Sequence, residues 1–194
     1  TVTVDDQNGG TASQDVTITI NGTNDAPVIT SGVQSGTVDE QADLAPLADA
    51  DPADVTGTIT FDDVDLSDEP QASVTNSVVT TATLANGYVL TAGQEATLLG
   101  AFSLDDLLDG VSNSTFGDGS GEIAWTYDAT NAAIDFLGEN DQLVLTFTVT
   151  VDDQNGGTAS QDVTITINGT NDAPVITSGV QSGTVDEQAD LAPL

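Results

Sequence analysis

Valine, isoleucine and leucine alternate with threonine and other polar residues along much of the chain. Val2 and Val4 do so across Thr1–Val4, and Val16, Ile18 and Ile20 across Asp15–Ile20. Leu143, Leu145, Phe147, Val149 and Val151 occupy every second position of Gln142–Val151. Period-two alternation of β-branched residues predicts strands with one face buried and one in water. Further strands are expected at Val28–Thr30, at Thr37–Glu40 after a jog through Gly32–Gly36, and at Thr56–Phe61. Ala72–Leu84 reads as one or two strands, Gly87–Leu90 as another, and Glu122–Tyr127 as one that carries the single tryptophan, Trp125. Asn8-Gly9-Gly10 is a hairpin-turn signal. Leucines and Phe102 lie near helical spacing in Ala92–Leu108, without deciding whether a short helix forms there, and Asn131–Leu137 fits a helical turn. Many short strands with one apolar face each predict an all-β fold, an Ig/cadherin-like antiparallel β-sandwich with one or two short helical turns.

The sandwich is expected to be tandemly repeated. Residues 1–47 recur without a single change as residues 148–194, an offset of 147 residues. A perfect internal repeat marks a slice of an array, whose ends fall inside modules. Asn21–Pro27 (NGTNDAP) is a short polar joint, and Pro27 holds Ala26 extended. The expected division is residues 1–24 as the closing hairpin and joint of a preceding module, 25–170 as a complete sandwich, and 171–194 as the start of the next.

Charge changes the picture most. The chain has 32 acidic side chains, no Lys, Arg or His, and a formal net charge of -32. Without a cationic side chain it is expected to form no salt bridge, and self-repulsion works against compaction. Metal ions from solution are the candidates for neutralising it. Nucleic acid and anionic membrane surfaces are poor partners, because both need basic residues. Without His, Cys, Lys or Arg, a Ser-His-Asp triad, a thiol nucleophile, a Schiff base and an arginine clamp are excluded. Only carboxylate-pair chemistry of the glycosidase type remains, and nothing marks such a pair, so no enzymatic role is expected. No apolar run is long enough to span a membrane, and any secretion signal or anchor is expected outside this stretch.

ITFDDVDLSDEPQASVT, GEIAWTYD and LTFTVTVDDQNGGTASQDVTITINGTNDAPVI together resemble the VCBS repeat family. The resemblance covers nearly the whole period, and GTNDAPVI is its most specific part. It implies a sandwich module repeated many times in a very large, secreted bacterial surface protein of the RTX-adhesin type, serving cell adhesion and biofilm formation. A weaker resemblance is to cadherin repeats, which bind Ca²⁺ between successive domains. Asn168-Gly-Thr-Asn171-Asp172-Ala-Pro174 stands where cadherins carry their joint, with Asn168 replacing the first Asp and the later Asn and Asp in swapped order. Glu40 ends the first strand as in cadherins, and Asp63-Val64-Asp65 matches their DxD. Val151-Asp152-Asp153-Gln154 and Leu137-Gly138-Glu139-Asn140 match the remaining motifs only in part.

Calcium takes six to eight oxygen ligands, and Asp-rich loops at strand ends supply them. The resemblance implies one junction made of Asp63, Asp65, Asp152 and Asp153 with Asn24 and Asp25 of the preceding joint. It implies a second made of Glu40 and Glu139 with Asn171 and Asp172. Calcium would then stiffen a monomeric string of modules whose partners are its own neighbouring repeats. Turn chemistry alone is the blander alternative for the same Asp residues, and calcium is preferred there because every positive side chain is missing. The two are an even match for Asp68 and Glu69, a solvated acidic face is the better reading of Asp105, Asp106 and Asp109, and a turn that of Asp118. Trp125 reads as core rather than as a sugar platform. The alternative function is a carbohydrate- or cell-binding repeat acting through avidity.

Overall fold

The computed structural model of the chain describes residues 1–42, 51–104, 119–174 and 176–187. Most of the connection after Gln41 and the acids Asp105, Asp106, Asp109 and Asp118 lie outside the described residues.

Ten strands are described. In chain order they are β1 (Val2–Asp5), β2 (Thr11–Gln14), β3 (Val28–Ile29), β4 (Gln34–Asp39), β5 (Val55–Asp62), β6 (Gln71–Thr83), β7 (Phe102–Leu104), β8 (Ser120–Tyr127), β9 (Gln142–Asp152) and β10 (Thr158–Asn168). Two four-stranded sheets, ordered β4-β10-β9-β6 and β3-β5-β8-β7, pack face to face, and β1 and β2 form a separate two-stranded ribbon. The fold is an all-β sandwich. The alternation explains which faces meet. Leu143, Leu145, Phe147, Val149 and Val151 of β9 point inward with Val163, Ile165 and Ile167 of β10, against Ile59 and Phe61 of β5 and Ile123, Trp125 and Tyr127 of β8. Phe102 stacks on Phe147 at 4.3 Å and on Trp125 at 5.8 Å between ring centroids. The two polar handles in this core are satisfied: Trp125 Nε1–H donates to Gln34 Oε1 at 3.0 Å, and Tyr127 O–H to the Leu98 carbonyl at 3.1 Å. Trp125 is therefore core, as its pattern implied.

Three local departures have physical causes. The first strand does not simply continue through its jog but changes sheets. Val28–Ile29 pairs antiparallel with β5, whereas Gln34–Asp39 pairs parallel with β10, the one parallel ladder among the described strands. Ala72–Leu84 is a single strand, with register shifts between Val74 and Asn76 and between Val79 and Thr81. The extra residues are threonines whose hydroxyls tie the bulges to β9: Thr75 to Thr150 at 2.9 Å and Thr80 to Thr146 at 2.6 Å. Gly87–Leu90 is not a strand. Ala85–Gly87 is a 3₁₀ turn, and Gly87 sits at φ 72°, which breaks an extended run. Helix α1 forms at Ala92–Gly100, started by a capping box between Thr91 and Gln94, and α2 is one turn at Asn131–Ile134.

The repeated sequence folds in two ways. Asp15–Ile20, expected to be a strand, is none, and its second copy lies within β10. In β10 those residues pair with Leu143–Thr148 on one side, and from Val163 onward with β4 on the other. Among the described residues no strand flanks the first copy in this way. Ile18 is accordingly 80% exposed and its counterpart Ile165 0%.

This contrast sets a test. Ile165→Ala should lower the unfolding free energy by about 2–5 kcal/mol, the range for emptying a packed site. Ile18→Ala, the same change in the same local sequence, should cost less than about 0.5 kcal/mol. Urea unfolding of the two variants reads the difference, and equal losses would contradict the two environments.

Candidate metal centre

Three acidic side chains are buried among the described residues: Glu40, Asp63 and Asp153. All three lie at sandwich ends, where strands hand over to loops.

Asp153 sits in the turn between β9 and β10. Asp153 Oδ1 accepts the N–H groups of Asn155 at 2.7 Å and Gly157 at 2.9 Å. Gln154 and Gly156 take positive φ, 65° and 113°, to close the loop. Asp153 Oδ2 accepts the side-chain N–H of Asn24 at 2.9 Å, which draws the preceding joint onto the turn. Burial pushes the Asp153 carboxyl up, but the donors of Asn24, Asn155, Gly157 and Gly156 outweigh it and hold the pKa below the usual value.

Beside it, the loop after β5 folds back on itself. Asp63 Oδ1 accepts the Asp65 N–H at 2.9 Å, Asp65 O accepts the Asp68 N–H at 3.0 Å, and Asp65 Oδ2 accepts the Asp25 N–H at 2.6 Å. Ligand oxygens of Asp63, Asp65 and Asp68 come within 4.8 Å of one another. Asp63 Oδ2 and Asp68 Oδ2 are buried with no hydrogen-bond partner. Burial pushes the Asp63 carboxyl up, and the charges of Asp68, Asp65 and Asp153 push the same way against the Asp65 N–H. A cleft of about 470 Å³ opens here, lined by Thr23 and Asn24 of the joint and by Asp65, Ser67, Asp68 and Asn155 of the loops.

The other end is built around Glu40. Its Oε2 accepts the Thr170 N–H at 2.6 Å, its carbonyl accepts the Thr170 hydroxyl at 2.8 Å, and Oε1 is buried without a partner. Burial, followed by the charges of Asp172 and Asp135, raises its pKa despite the Thr170 donors.

The structure thus brings together Asn24, Asp25, Asp63, Asp65 and Asp153. Asp152 points its carboxylate at the Gln154 N–H, 2.8 Å away. Glu40 and Asp172 sit close enough to repel. Asn171 and Glu139 are exposed. In the stretch around Glu139 it is Asp141 that binds the chain, accepting the N–H groups of Ala85 at 2.7 Å and Gly138 at 3.0 Å. Asn155 joins the first centre without having been singled out, and Asp68, an even match between ligand and turn in the sequence, joins it as well. Asp68 lies three residues beyond the DxD pair, and its acidic loop was the available signal. The expectation of no salt bridge needs one correction: the α-amino group of Thr1 lies 3.9 Å from Asp15 Oδ1, because a chain terminus is a cation that side-chain counting misses.

The donor set is all oxygen, carboxylate-rich and partly dry. Two unit charges this close repel by about 1 kcal/mol in water and about 3–4 kcal/mol at a surface-like effective dielectric. Orphaned buried carboxylate oxygens beside an acid cluster suit a hard cation such as Ca²⁺.

No protein-family model matches the chain, and no curated protein does, so the VCBS resemblance rests on its sequence motifs. Several solved structures are similar in strand arrangement. The ASH/PapD-like domain 7 of human CEP192 matches at TM-score 0.42 and 11% identity, over 82% of this chain and 95% of that one. The CooA pilin subunit of enterotoxigenic Escherichia coli matches at 0.37 and 8%, over 74% and 97%. The cadherin-like domains 1 to 4 of zebrafish RET match at 0.33 and 12%, with 76% of this chain spanning 27% of that one. All are distant likenesses, and the functional reading rests on the site itself.

The shifted carboxylates predict an unusual pH profile in chelator. Glu40 and Asp63 have folded pKa values above their unfolded ones, so their ionisation opposes folding at neutral pH and that penalty fades on acidification. Asp153 has a depressed folded pKa, so its contribution is present above the unfolded pKa and is lost as pH falls through the folded one. The melting temperature should therefore rise from neutral into mildly acidic pH and then fall. A steady decline from pH 7 downward would contradict the assignment.

Proposed function

We propose that residues 25–170 form one module of a tandemly repeated bacterial surface adhesin, an extender that Ca²⁺ stiffens at the joints and that has no catalytic role. The observation that carries this reading is the pair of buried, unpartnered oxygens of Asp63 and Asp68, beside Asp65 and Asp153 and against the joint residues Asn24 and Asp25. A cation there would supply positive charge where the chain has none. Asp63, Asp65, Asp68 and Asp153 would hold it from the sandwich side, with Asn24 from the joint.

Electrostatics gives the mechanism. Without a cation, the joint is held by single hydrogen bonds while four carboxylates repel. With one bound, the sandwich loops and the joint share a ligand, and hinge motion costs ligand bonds. Because residues 1–47 equal residues 148–194, the joint at Asn171 and Asp172 presents the same groups to a following module that Asn24 and Asp25 present here. Each joint would then be cross-braced in the same way, with Glu40 gripping Thr170 from behind. Such a string projects a distal binding domain away from a cell surface. No helix among the described residues is long and apolar enough to cross a membrane.

Three measurements test this. Calorimetric titration of the chain with CaCl₂ should show saturable binding, and Asp63→Asn or Asp68→Asn should weaken it by about tenfold or more, the cost of losing roughly 1.4 kcal/mol of ligand interaction. In chelator Asp63→Asn should raise the melting temperature, since it removes a buried charge. Small-angle scattering on a chain of several periods should show the maximum dimension falling on chelation while the modules stay folded. An unchanged dimension would remove stiffening from the reading, and melting of the modules would move the ion from the joint into the fold.

A further inference from the structure

We propose that the groove between α1 and α2 is a binding subsite for a neutral saccharide. This goes beyond the extender role and uses no residue of the acidic cleft.

The groove is a cleft of about 650 Å³ lined by Gly93, Gln94, Thr97, Ala133, Asp135 and Phe136. Through Thr97 and Ala133 it runs on into a smaller recess of about 150 Å³ that adds Asp128 and Thr130. Its aromatic wall is built. Phe136 stacks on Tyr88 with ring centroids 5.7 Å apart and planes 29° apart, and Tyr88 is 46% exposed. The other described aromatics, Phe61, Phe102, Trp125, Tyr127 and Phe147, are buried in the sandwich core. Among the described aromatics Phe136 is the one that lines this groove, with Tyr88 stacked on its ring.

The polar groups are held in place as well. Gln94 Oε1 accepts three bonds of 3.0 Å, from the Thr91 N–H, the Thr91 hydroxyl and the Tyr88 hydroxyl. That fixes the amide at the start of α1 and ties it to the aromatic pair, while the amide nitrogen enters none of these bonds. Thr97 follows one turn later on the same helix face.

A pyranose offers one C–H face and a rim of hydroxyls that both donate and accept. A ring wall beside carboxylates, an amide and hydroxyls matches that pattern, because each partner type meets its complement. The charge decides the class of sugar. With a formal net charge of -32 and no cationic side chain, the surface repels sialylated, sulfated and phosphorylated ligands. In an array whose every period carried residues 88–136, weak single sites would add through avidity.

Saturation-transfer NMR on the intact chain tests this, using maltotriose, cellotriose, chitotriose and N-acetyllactosamine, in calcium and in chelator. At least one should show saturable transfer with a Kd below about 10 mM. Thr97→Arg, at an exposed helix position, fills the groove and should weaken binding about tenfold or more, with an unchanged circular dichroism spectrum. Asp135→Asn, also exposed, keeps the shape and should weaken it independently. Sialyllactose should not bind. No saturable transfer from any neutral probe would overturn the proposal, and so would binding that both variants leave unchanged. Capture of a tetralysine peptide in place of every saccharide would overturn it too. Saccharide binding that persists in chelator leaves this proposal standing even where calcium stiffening fails.

Discussion

A carboxylate in this chain has no cationic side chain to pair with, and that constraint shapes the acidic loops among the described residues. The remaining partners are N–H donors, water and metal ions. Where backbone donors converge, the acid is well held: Asp153 in its turn, Asp141 against Ala85 and Gly138. Where they run short, buried oxygens are left over, and this happens at Asp63, Asp68 and Glu40. The sandwich supplies the rest of the arrangement by bringing loops far apart in sequence to one end. Its apolar interior carries the folding, and the unpaired charge collects in the loops at the ends of the sandwich.

The joint shows how tightly these two features are linked. Ala26 lies against Gly157, leaving no room there for a side chain, and Asn24 and Asp25 reach two different loops. The turn that packs the joint is thus the turn that presents Asp153.

Much of the site could be read in the sequence because turn-forming Asp and Asn residues occur in short runs next to alternating strands. Asp63, Asp65 and Asp153 were legible in that way, and so was the polar joint. Asp68 was only half legible, because an acid beside Glu69 in a loop reads equally well as a solvated turn. Asp141 and Asn155 were not legible, because their roles depend on which N–H groups a folded loop presents to them. The exchange of Glu139 for Asp141 as the bonded acid is a two-residue difference that spacing alone cannot resolve. Helix α1 was left undecided by its leucine spacing. It is settled by the Thr91–Gln94 cap, a local signal, and by Leu98, buried beneath it.

The duplicated stretch separates local from tertiary causes within one molecule. The turn at Asp5–Gly10 repeats the turn at Asp152–Gly157 almost bond for bond: Gln7 and Gln154 both take positive φ, Gly9 and Gly156 likewise, and Asp6 and Asp153 accept the same N–H groups. That geometry is written in the sequence, since its donors and acceptors lie within a few residues of each other. The strands are not. Val16, Ile18 and Ile20 are exposed and unpaired, whereas Val163, Ile165 and Ile167 are buried between β9 and β4. Alternation marked both copies as able to form a strand, but a strand needs a neighbour for its backbone and an opposing sheet for its apolar face. Only the tertiary structure provides those, and it provides them to one copy.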